Sequence, residues 1–494
     1  MKRFAFRTFF LAFGFAALLL GGCGQTHAQV PPLAFTASGD AAFDQWRADY
    51  AARALAQGRR RDVVFRVLEG LTPNPSVIEL DGRQPEFVAP VWDYVNTRLS
   101  PSRIGAGQAM KAQLGPLLAA ISQRYGVDGD IILGIWGLES NFGQAALPHD
   151  AARALATLAF EGRRRTQFEG YLSALIEMIE RGYAAPGELK SSWAGALGQP
   201  QFMPDAYLST AVDWDGDGKR DIWTNQGDVA ASIANYLHTR GWRPDEPVFD
   251  EVRLPAGFDY LLADTAARSV ADWAARGVVR VDGTPWSVAD RALNSQLFLP
   301  AGAQGPALLL HPNFAVIRRY NASDRYALTV ALLARAFAGK PGLVTPWPVS
   351  LTPLQRDEMF TLQTLLNGLG YDAGAADGLF GSATRRAVAA FQAAERLTPD
   401  GFPTADLLRA VRLRAGVSAP DPQPAAAAPA RPLDRDGVRD LQRRLTRLGY
   451  HTNGVDGVIG SRTRAAIRAF ERDHDLPVTG RATTRVLAQA QRAR

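Results

Sequence analysis

The C-terminal part of the chain is written twice. LQTLLNGLGY, Leu362 to Tyr371, returns as LQRRLTRLGY, Leu441 to Tyr450, and DGLFGSATRRAVAAF, Asp377 to Phe391, returns as DGVIGSRTRAAIRAF, Asp456 to Phe470. The offset stays at 79 residues and also relates Gly401 to Gly480. A constant offset of this size marks a duplicated domain. Each copy reads as a helix, a Gly-Tyr turn, an Asp-Gly-x-x-Gly loop, a second helix, and a short third helix after Gly401 or Gly480. The glycines permit left-handed turns, and Thr384 or Thr463 is placed to cap the second helix. Two small three-helix bundles are expected, over 350–412 and 433–491, joined by a linker over 413–432. The Pro/Ala-rich stretch from Ala419 to Pro432 makes that linker semi-extended.

The opposite end carries a different signal. Lys2, Arg3 and Arg7 precede an apolar run from Phe9 to Leu20, which suits a signal-peptide core and is too short to span a bilayer. Leu20-Gly21-Gly22-Cys23 closes it, and Cys23 is the single cysteine of the chain, so no internal disulfide forms. The pattern resembles a bacterial lipobox. That resemblance implies a signal peptide over 1–22, lipidation of Cys23 and a membrane anchor; cleavage after Ala28, leaving a soluble protein, is the alternative. Gly24 in place of aspartate suits a periplasmic protein held at an outer membrane. Residues 23–40, with Pro31 and Pro32, read as a tether.

Between these ends, 41–340 reads as one globular, mainly helical region. Met110, Leu114, Leu117, Leu118, Ile121 and Tyr125 recur at helical spacing, as do Tyr171, Leu175, Met178 and Ile179. From Glu246 to His311 the pattern loosens into short apolar runs, Val248 to Leu254 and Leu297 to Leu299, which indicate a small strand-containing insert. The composition, 47% hydrophobic and 21% charged, is that of a folded protein. Lys plus Arg exceed Asp plus Glu by 55 to 49, a mild excess that favours polyanionic surfaces without choosing among wall polymers, lipid and nucleic acid. No zinc-finger or aromatic-basic strand motif is present, so nucleic acid is not an expected partner.

Within the helical region WGLES, Trp136 to Ser140, places a lone carboxylate, Glu139, among Ile135, Trp136, Leu138 and Phe142. Asp130 is positioned to cap a helix from Ile131 to about Leu138, leaving Glu139 in its last turn. A helix C-terminus and apolar neighbours both disfavour the ionised form and raise its pKa. A glutamic acid that holds its proton near neutral pH suits protonation of a glycosidic oxygen.

Further motifs follow in order: SSWAGALGQPQFMP (Ser191 to Pro204), DWDGDGKRDIW (Asp213 to Trp223), SIANYL (Ser232 to Leu237) and IRRYNASDRYAL (Ile317 to Leu328). Together with WGLESNFG this series resembles the B family of lytic murein transglycosylases, over roughly 40 to 340, and the repeats resemble peptidoglycan-binding domains. The resemblance implies a mainly α (α+β) protein, with a lysozyme-like catalytic core, a strand-containing insert and two three-helix bundles. It implies an enzyme that cleaves the MurNAc-GlcNAc bond of peptidoglycan without water, leaving 1,6-anhydro-MurNAc ends. Glu139 is then the single acid and base. Ser192, Gln201, Phe202, Tyr236, Tyr320, Asn321 and Tyr326 match residues that hold the glycan, and Arg164 and Arg165 match a pair near the wall peptide or sugar. Tyrosine and phenylalanine faces pack on sugar rings, while Ser, Asn and Gln bond to hydroxyl and acetamido groups; Phe202 and Tyr236 also suit a core. A hydrolytic muramidase and a non-catalytic wall-binding scaffold lipoprotein are the competing readings. Partners among other cell-wall enzymes are left open.

Asp213, Asp215 and Asp217 have the spacing that opens an EF-hand calcium loop, with the Lys219 carbonyl and Asp228 available to complete it. The twelfth position is Thr224 rather than glutamate, so structural calcium and an empty Asx turn both fit. No cofactor is required for the chemistry. The six histidines form no zinc-peptidase pattern.

Overall fold

The computed structural model describes residues 31–82, 90–417 and 433–492, apart from 453, 475, 477 and 478. The expected signal peptide, Cys23 and residues 418–432 of the linker lie outside them. Contacts divide the chain into two compact units. One runs to Phe258 and resumes from Thr265 to Trp347; the other holds Asp259–Asp264 and everything from Pro348 onward. Among the described residues, no helix is long and apolar enough to cross a membrane.

The first unit is built around the helix Gly129–Ser140. Its sequence, GDIILGIWGLES, is apolar nearly all round, the signature of a helix with neighbours on every side. The helices Pro101–Tyr125, Gln226–Thr239 and Asp324–Phe337 pack against it. Gly134 sets the closest approach, because a Cβ there would lie 2.9 Å from the Val330 carbonyl oxygen. Asp130 does not cap this helix as the sequence suggests. Asp128 does so, accepting from the Asp130 amide at 2.8 Å, while the Asp130 carboxylate sits one step inside and pairs with Lys111 at 2.7 Å. Two aspartates two residues apart compete for the same orphan amides, and the earlier one takes them. The stripes Leu114, Leu118, Ile121, Tyr125 and Leu175, Met178, Ile179 are buried as the spacing predicts.

The loosened stretch before His311 forms a five-stranded antiparallel sheet in the order Arg268–Ser269, Asn294–Phe298, Ala307–Leu310, Phe249–Arg253, Val279–Arg280. A buried polar chain pins its register. Ser295 Oγ and His311 Nδ1 are 2.7 Å apart, His311 Nε2 lies 2.9 Å from Asp250 Oδ2, and Arg280 grips the same carboxylate at 3.1 Å. Burial pushes the Asp250 carboxyl up, but hydrogen bonds from His311 and Arg280 outweigh it and hold it below the usual range. With Ser295 and His311 both sealed from solvent, this Ser-His-Asp series is a structural tie and not a nucleophile. The unit closes where the Val344 and Thr345 amides donate to the Glu251 carboxylate and Trp347 packs on Trp92.

The two repeats fold alike. Arg356–Gly368, Ser382–Ala394 and Ala405–Arg414 enclose Leu362, Leu366, Val388, Phe391, Leu408 and Val411. Arg435–Arg447, Ser461–Asp473 and Thr484–Arg492 enclose Leu441, Leu445, Ile467, Phe470 and Val486. Thr384 and Thr463 are not caps, because the N-cap positions are Gly381 and Gly460 and the threonines stand buried inside the first turn. Each instead joins a glutamine that organises the Asp-Gly loop. Gln363 accepts from the Asp377 and Gly378 amides (3.1 and 2.9 Å) and donates to Asp377 Oδ1, the Leu379 carbonyl and Thr384 Oγ1. Gln442 repeats the arrangement with Gly457, Asp456, Val458 and Thr463.

A buried amide with this many partners cannot be replaced by an apolar isostere without stranding backbone donors. Gln363→Leu therefore accelerates amide exchange at 377–379 by at least about tenfold. The equivalent amides at 456–458 keep their protection, and uniform exchange in both loops contradicts the assignment.

Candidate active site

Glu139 stands one residue before the end of the central helix. After Ser140 the backbone turns left-handed at Asn141, Phe142 and Gly143 (φ 49°, 58° and 82°). Two of these three are not glycine, and that conformation is costly for residues with a side chain. The turn is held by the Gly143 amide on Ser140 Oγ (3.0 Å) and by the Ala145 amide on the Ser140 carbonyl (2.9 Å). It ends the helix abruptly and leaves the Glu139 side chain partly buried against tyrosines.

Among the described residues the carboxyl has one hydrogen bond: Tyr326 Oη donates to Glu139 Oε1 at 2.6 Å. Tyr326, which is 3% exposed, comes from the helix Asp324–Phe337, the one admitted so closely by Gly134. Loss of hydration raises the Glu139 pKa to about 7, opposed only by the Tyr326 hydrogen bond, which favours the ionised form. Among the described residues, no second carboxylate contributes to the shift. Tyr320 and Tyr326 are themselves held far above the usual tyrosine range, first by burial and then by the charge of Glu139, so both stay protonated donors.

An aromatic row runs from this point. Tyr326 stacks on Tyr320 (centroids 6.5 Å apart, planes at 13°), Tyr320 meets Tyr236 at 4.6 Å, and Phe202 touches both Tyr236 and Tyr320 at 5.6 and 5.8 Å. The hydroxyls of the inner pair are tied to backbone: Tyr320 donates to the Pro200 carbonyl (2.7 Å) and Tyr236 to that of Arg319 (2.6 Å). Pro200 sits at the tip of a tight hairpin closed by Leu197 and Phe202. Gln201 adopts a left-handed backbone there (φ 55°), with its side chain donating to the Gly198 carbonyl at 2.8 Å. The hairpin is fastened to the central helix through Gln199, which accepts from Trp136 Nε1 (2.8 Å) and donates to the Trp223 carbonyl (2.6 Å).

The structure thus gathers Glu139, Tyr326, Tyr320, Tyr236, Phe202 and Gln201. Phe202 is 2% and Tyr236 9% exposed, so these two back the wall and do not face open cleft. Ser192 lies in the turn leading to the hairpin, its hydroxyl accepting from the Ala196 amide. Asn321 follows the helix Pro312–Tyr320 and is exposed. Arg164 and Arg165 have no contact with this group: Arg164 pairs with the buried Asp81 at 2.6 Å and lies over Phe168, and Arg165 donates to the Phe160 carbonyl.

In the Asp loop, the carboxylate oxygens of Asp213, Asp215 and Asp217 lie within 4.8 Å of one another. A calcium ion with oxygen ligands at about 2.3–2.6 Å spans that separation, so the three residues fit a bound ion. Asp228 does not join them. Fully buried, it accepts from the Trp214 and Asp221 amides at 2.8 and 2.7 Å, closing the loop's ends by hydrogen bonds. Thr224 donates to the Asp221 carboxylate instead of supplying a carboxylate of its own.

Residues 42–335 match the family model of the transglycosylase SLT domain. The chain belongs to the lytic transglycosylase family. A second model, described as a peptidoglycan binding domain, matches 355–411 and 434–489. The membrane-bound lytic murein transglycosylase B of Escherichia coli K12 is 32% identical over 291 residues, covering 58% of this chain and 76% of the relative. The crystal structure of SltB3 from Pseudomonas aeruginosa in complex with NAG-anhNAM-pentapeptide is 43% identical, with a TM-score of 0.71, over 76% of this chain and all (100%) of that one. Escherichia coli SLT35, solved in complex with calcium, is 28% identical with a TM-score of 0.52, covering 64% of this chain and 97% of its own.

Two residues of this transglycosylase's site escape the sequence motifs as functional positions. Gln199 is inside a quoted motif, and its role shows only when Trp136 and Trp223 are seen on either side of it. Tyr94, on the helix Val91–Arg98, senses the Glu139 charge but sits in a stretch with no motif. Because Tyr326 favours the ionised carboxyl, Tyr326→Phe raises the Glu139 pKa further. The alkaline limb of lytic activity should move upward by about half a unit or more, while the maximum rate falls about tenfold or more from lost positioning. An alkaline limb that moves downward, in rates measured across pH 5 to 9, contradicts the geometry.

Proposed function

We propose that Glu139 is the sole acid and base with which this lytic transglycosylase cleaves peptidoglycan glycan strands. Protonated, it gives its proton to the oxygen linking N-acetylmuramic acid to N-acetylglucosamine as the C1–O bond breaks. Ionised, it takes the proton of the sugar's own C6 hydroxyl, whose oxygen bonds to C1 and closes the 1,6-anhydro ring. One proton leaves the carboxyl and one returns, and no water is consumed. The observation that carries this reading is a carboxyl with a pKa of about 7, bonded to a tyrosine and, among the described residues, without a carboxylate partner. Glycosidases that use water rely on two carboxyl groups across the bond. Tyr320 and Gln201 line the approach, with Tyr236 and Phe202 behind them; Ser192 and Asn321 lie on segments that lead into it and supply polar contacts to hydroxyl and acetamido groups. Arg164 and Arg165, which stand apart from this group with Arg164 held by Asp81, would meet the wall peptide or sugar away from Glu139.

Glu139→Gln keeps the side chain's shape and removes its proton chemistry. Digestion of purified sacculi should fall by about a thousandfold or more, and products of the unaltered enzyme should be lighter by one water than reducing-end fragments. Full lysis by the variant, or reducing-end products, overturns the reading.

Calcium is assigned to the Asp213, Asp215 and Asp217 carboxylates with the Lys219 carbonyl, as a brace for the loop that ends at Trp223. Support comes from the oxygen separations and from the calcium complex of the Escherichia coli relative. Calcium at about 1 mM should raise the unfolding midpoint by about 3 °C, and Asp215→Asn should remove the increment. Identical midpoints in calcium and chelator contradict the assignment. Export and lipidation at Cys23, with attachment to the outer membrane, rest on the sequence pattern and accord with the name of the membrane-bound relative.

A further inference from the structure

The two wall-binding copies have diverged in charge. Over 355–411 the first carries five arginines (356, 385, 386, 396, 409) against seven carboxylates, and over 434–489 the second carries eleven (435, 439, 443, 444, 447, 462, 464, 468, 472, 481, 485) against seven. Neither span contains lysine. At the fixed offset, Thr364 becomes Arg443, Gly368 becomes Arg447, Ala389 becomes Arg468, Ala393 becomes Arg472 and Phe402 becomes Arg481, while Arg464 keeps the arginine of position 385. All six arginines of the second copy are exposed, and among the described residues none carries an ion pair.

Their placement is ordered. Arg464, Arg468 and Arg472 fall at four-residue intervals on Ser461–Asp473, which puts them on one face with about 6 Å of helix between successive members. Arg468 also reaches the Gly480 turn, where a Cβ would lie 2.8 Å from its Nη1, next to Arg481. Arg443 and Arg447 form a second such pair on Arg435–Arg447.

None of the copy's described acids forms an ion pair with these six; each has another partner. Asp434 caps the first helix, Asp436 and Asp440 pair with Arg439 and Arg444, and Asp456 serves the Asp-Gly loop. Asp473 accepts from Tyr450, and Glu471, buried, takes the Thr479 and Gly480 amides. Like charges along one helix face weaken that helix, so an unneutralised row calls for an anionic ligand to relieve it.

We infer that the second repeat binds the carboxylates of peptidoglycan stem peptides through the Arg464–Arg468–Arg472 row with Arg481, while the first repeat binds the wall without net charge attraction. This rests on the wall-binding reading of the repeats. Each guanidinium carries a permanent positive charge, and a net positive module concentrates on a polymer that carries an acid on every stem.

The test uses the full chain carrying Glu139→Gln, so that sacculi survive the binding assay; solubilisation of the sacculi by that protein would count against the catalytic reading alone. Arg468→Ala, Arg472→Ala and Arg481→Phe together restore the first copy's residues. At about 20 mM salt this variant should bind sacculi about tenfold or more weakly, sacculi with amidated stem carboxylates should show the same loss with the unaltered module, and both differences should vanish at about 0.5 M salt. Arg468→Lys with Arg472→Lys should retain binding, which separates charge from misfolding. Equal binding by the restored variant overturns the inference. So does indifference to amidation, whether the same arginines then hold phosphatidylglycerol vesicles or duplex DNA.

Discussion

The proposed chemistry depends on one carboxyl group poised between two opposed influences. Removing water from around Glu139 favours its neutral form, and the Tyr326 hydroxyl, 2.6 Å away, favours its charged form. The balance falls at about 7, where a single group can give up a proton and reclaim it. Much of the surrounding architecture maintains that balance. Gly134 admits the Tyr326 helix, the left-handed turn after Ser140 ends the Glu139 helix beside the tyrosines, and the hydroxyls of Tyr320 and Tyr236 are committed to backbone carbonyls. With those two occupied, the Glu139 carboxyl has Tyr326 as its one hydrogen-bonding partner among the described residues. A further hydroxyl bonded to the carboxyl would push the pKa back toward the ordinary range and weaken it as an acid.

Rigidity of the site is supplied from outside it. Gln199 links the central helix to the hairpin that carries Gln201 and, through the Trp223 carbonyl, to the end of the Asp loop. The loop's other constraint is Asp228, which fastens residues 214 and 221 from inside the helix Gln226–Thr239. An ion held by Asp213, Asp215 and Asp217, as proposed, would stiffen a segment whose far end is tied through Gln199 to the Glu139 helix, a route from a structural metal to the proposed site without a part in the reaction.

The sequence was most informative where physics is local or repeated. Apolar periodicity located the buried helices, the break in that periodicity before His311 located the sheet, and the 79-residue offset located both bundles. Glu139 was legible because a carboxylate in apolar company has few explanations. What stayed hidden depended on partners distant in the chain. Asp128 and Asp130 are equivalent as caps until Lys111 is seen beside the second. Thr384 and Thr463 have the right type for capping, yet face Gln363 and Gln442 across the bundle. Asp228 has the right charge for a metal ligand, yet it lies fully buried outside the cluster of three carboxylates and closes the loop's ends by hydrogen bonds. Phe202 and Tyr236 match cleft positions in type, while their burial as the second layer of the wall follows from the stacking of Tyr320 above them. The identical glutamine in both repeats was a visible signal, since a polar residue kept inside an apolar helical stripe must have a partner.

The central claim is that Glu139 keeps its proton up to neutral pH, and it is tested most directly by watching that proton. Carbon-detected NMR of the side-chain carboxyl, with Glu139 assigned by its absence from the glutamine variant, should show a titration midpoint near 7. A midpoint near the ordinary glutamate value of about 4.3 would mean that the pocket does not hold the proton, and the single-carboxyl mechanism would have to be abandoned.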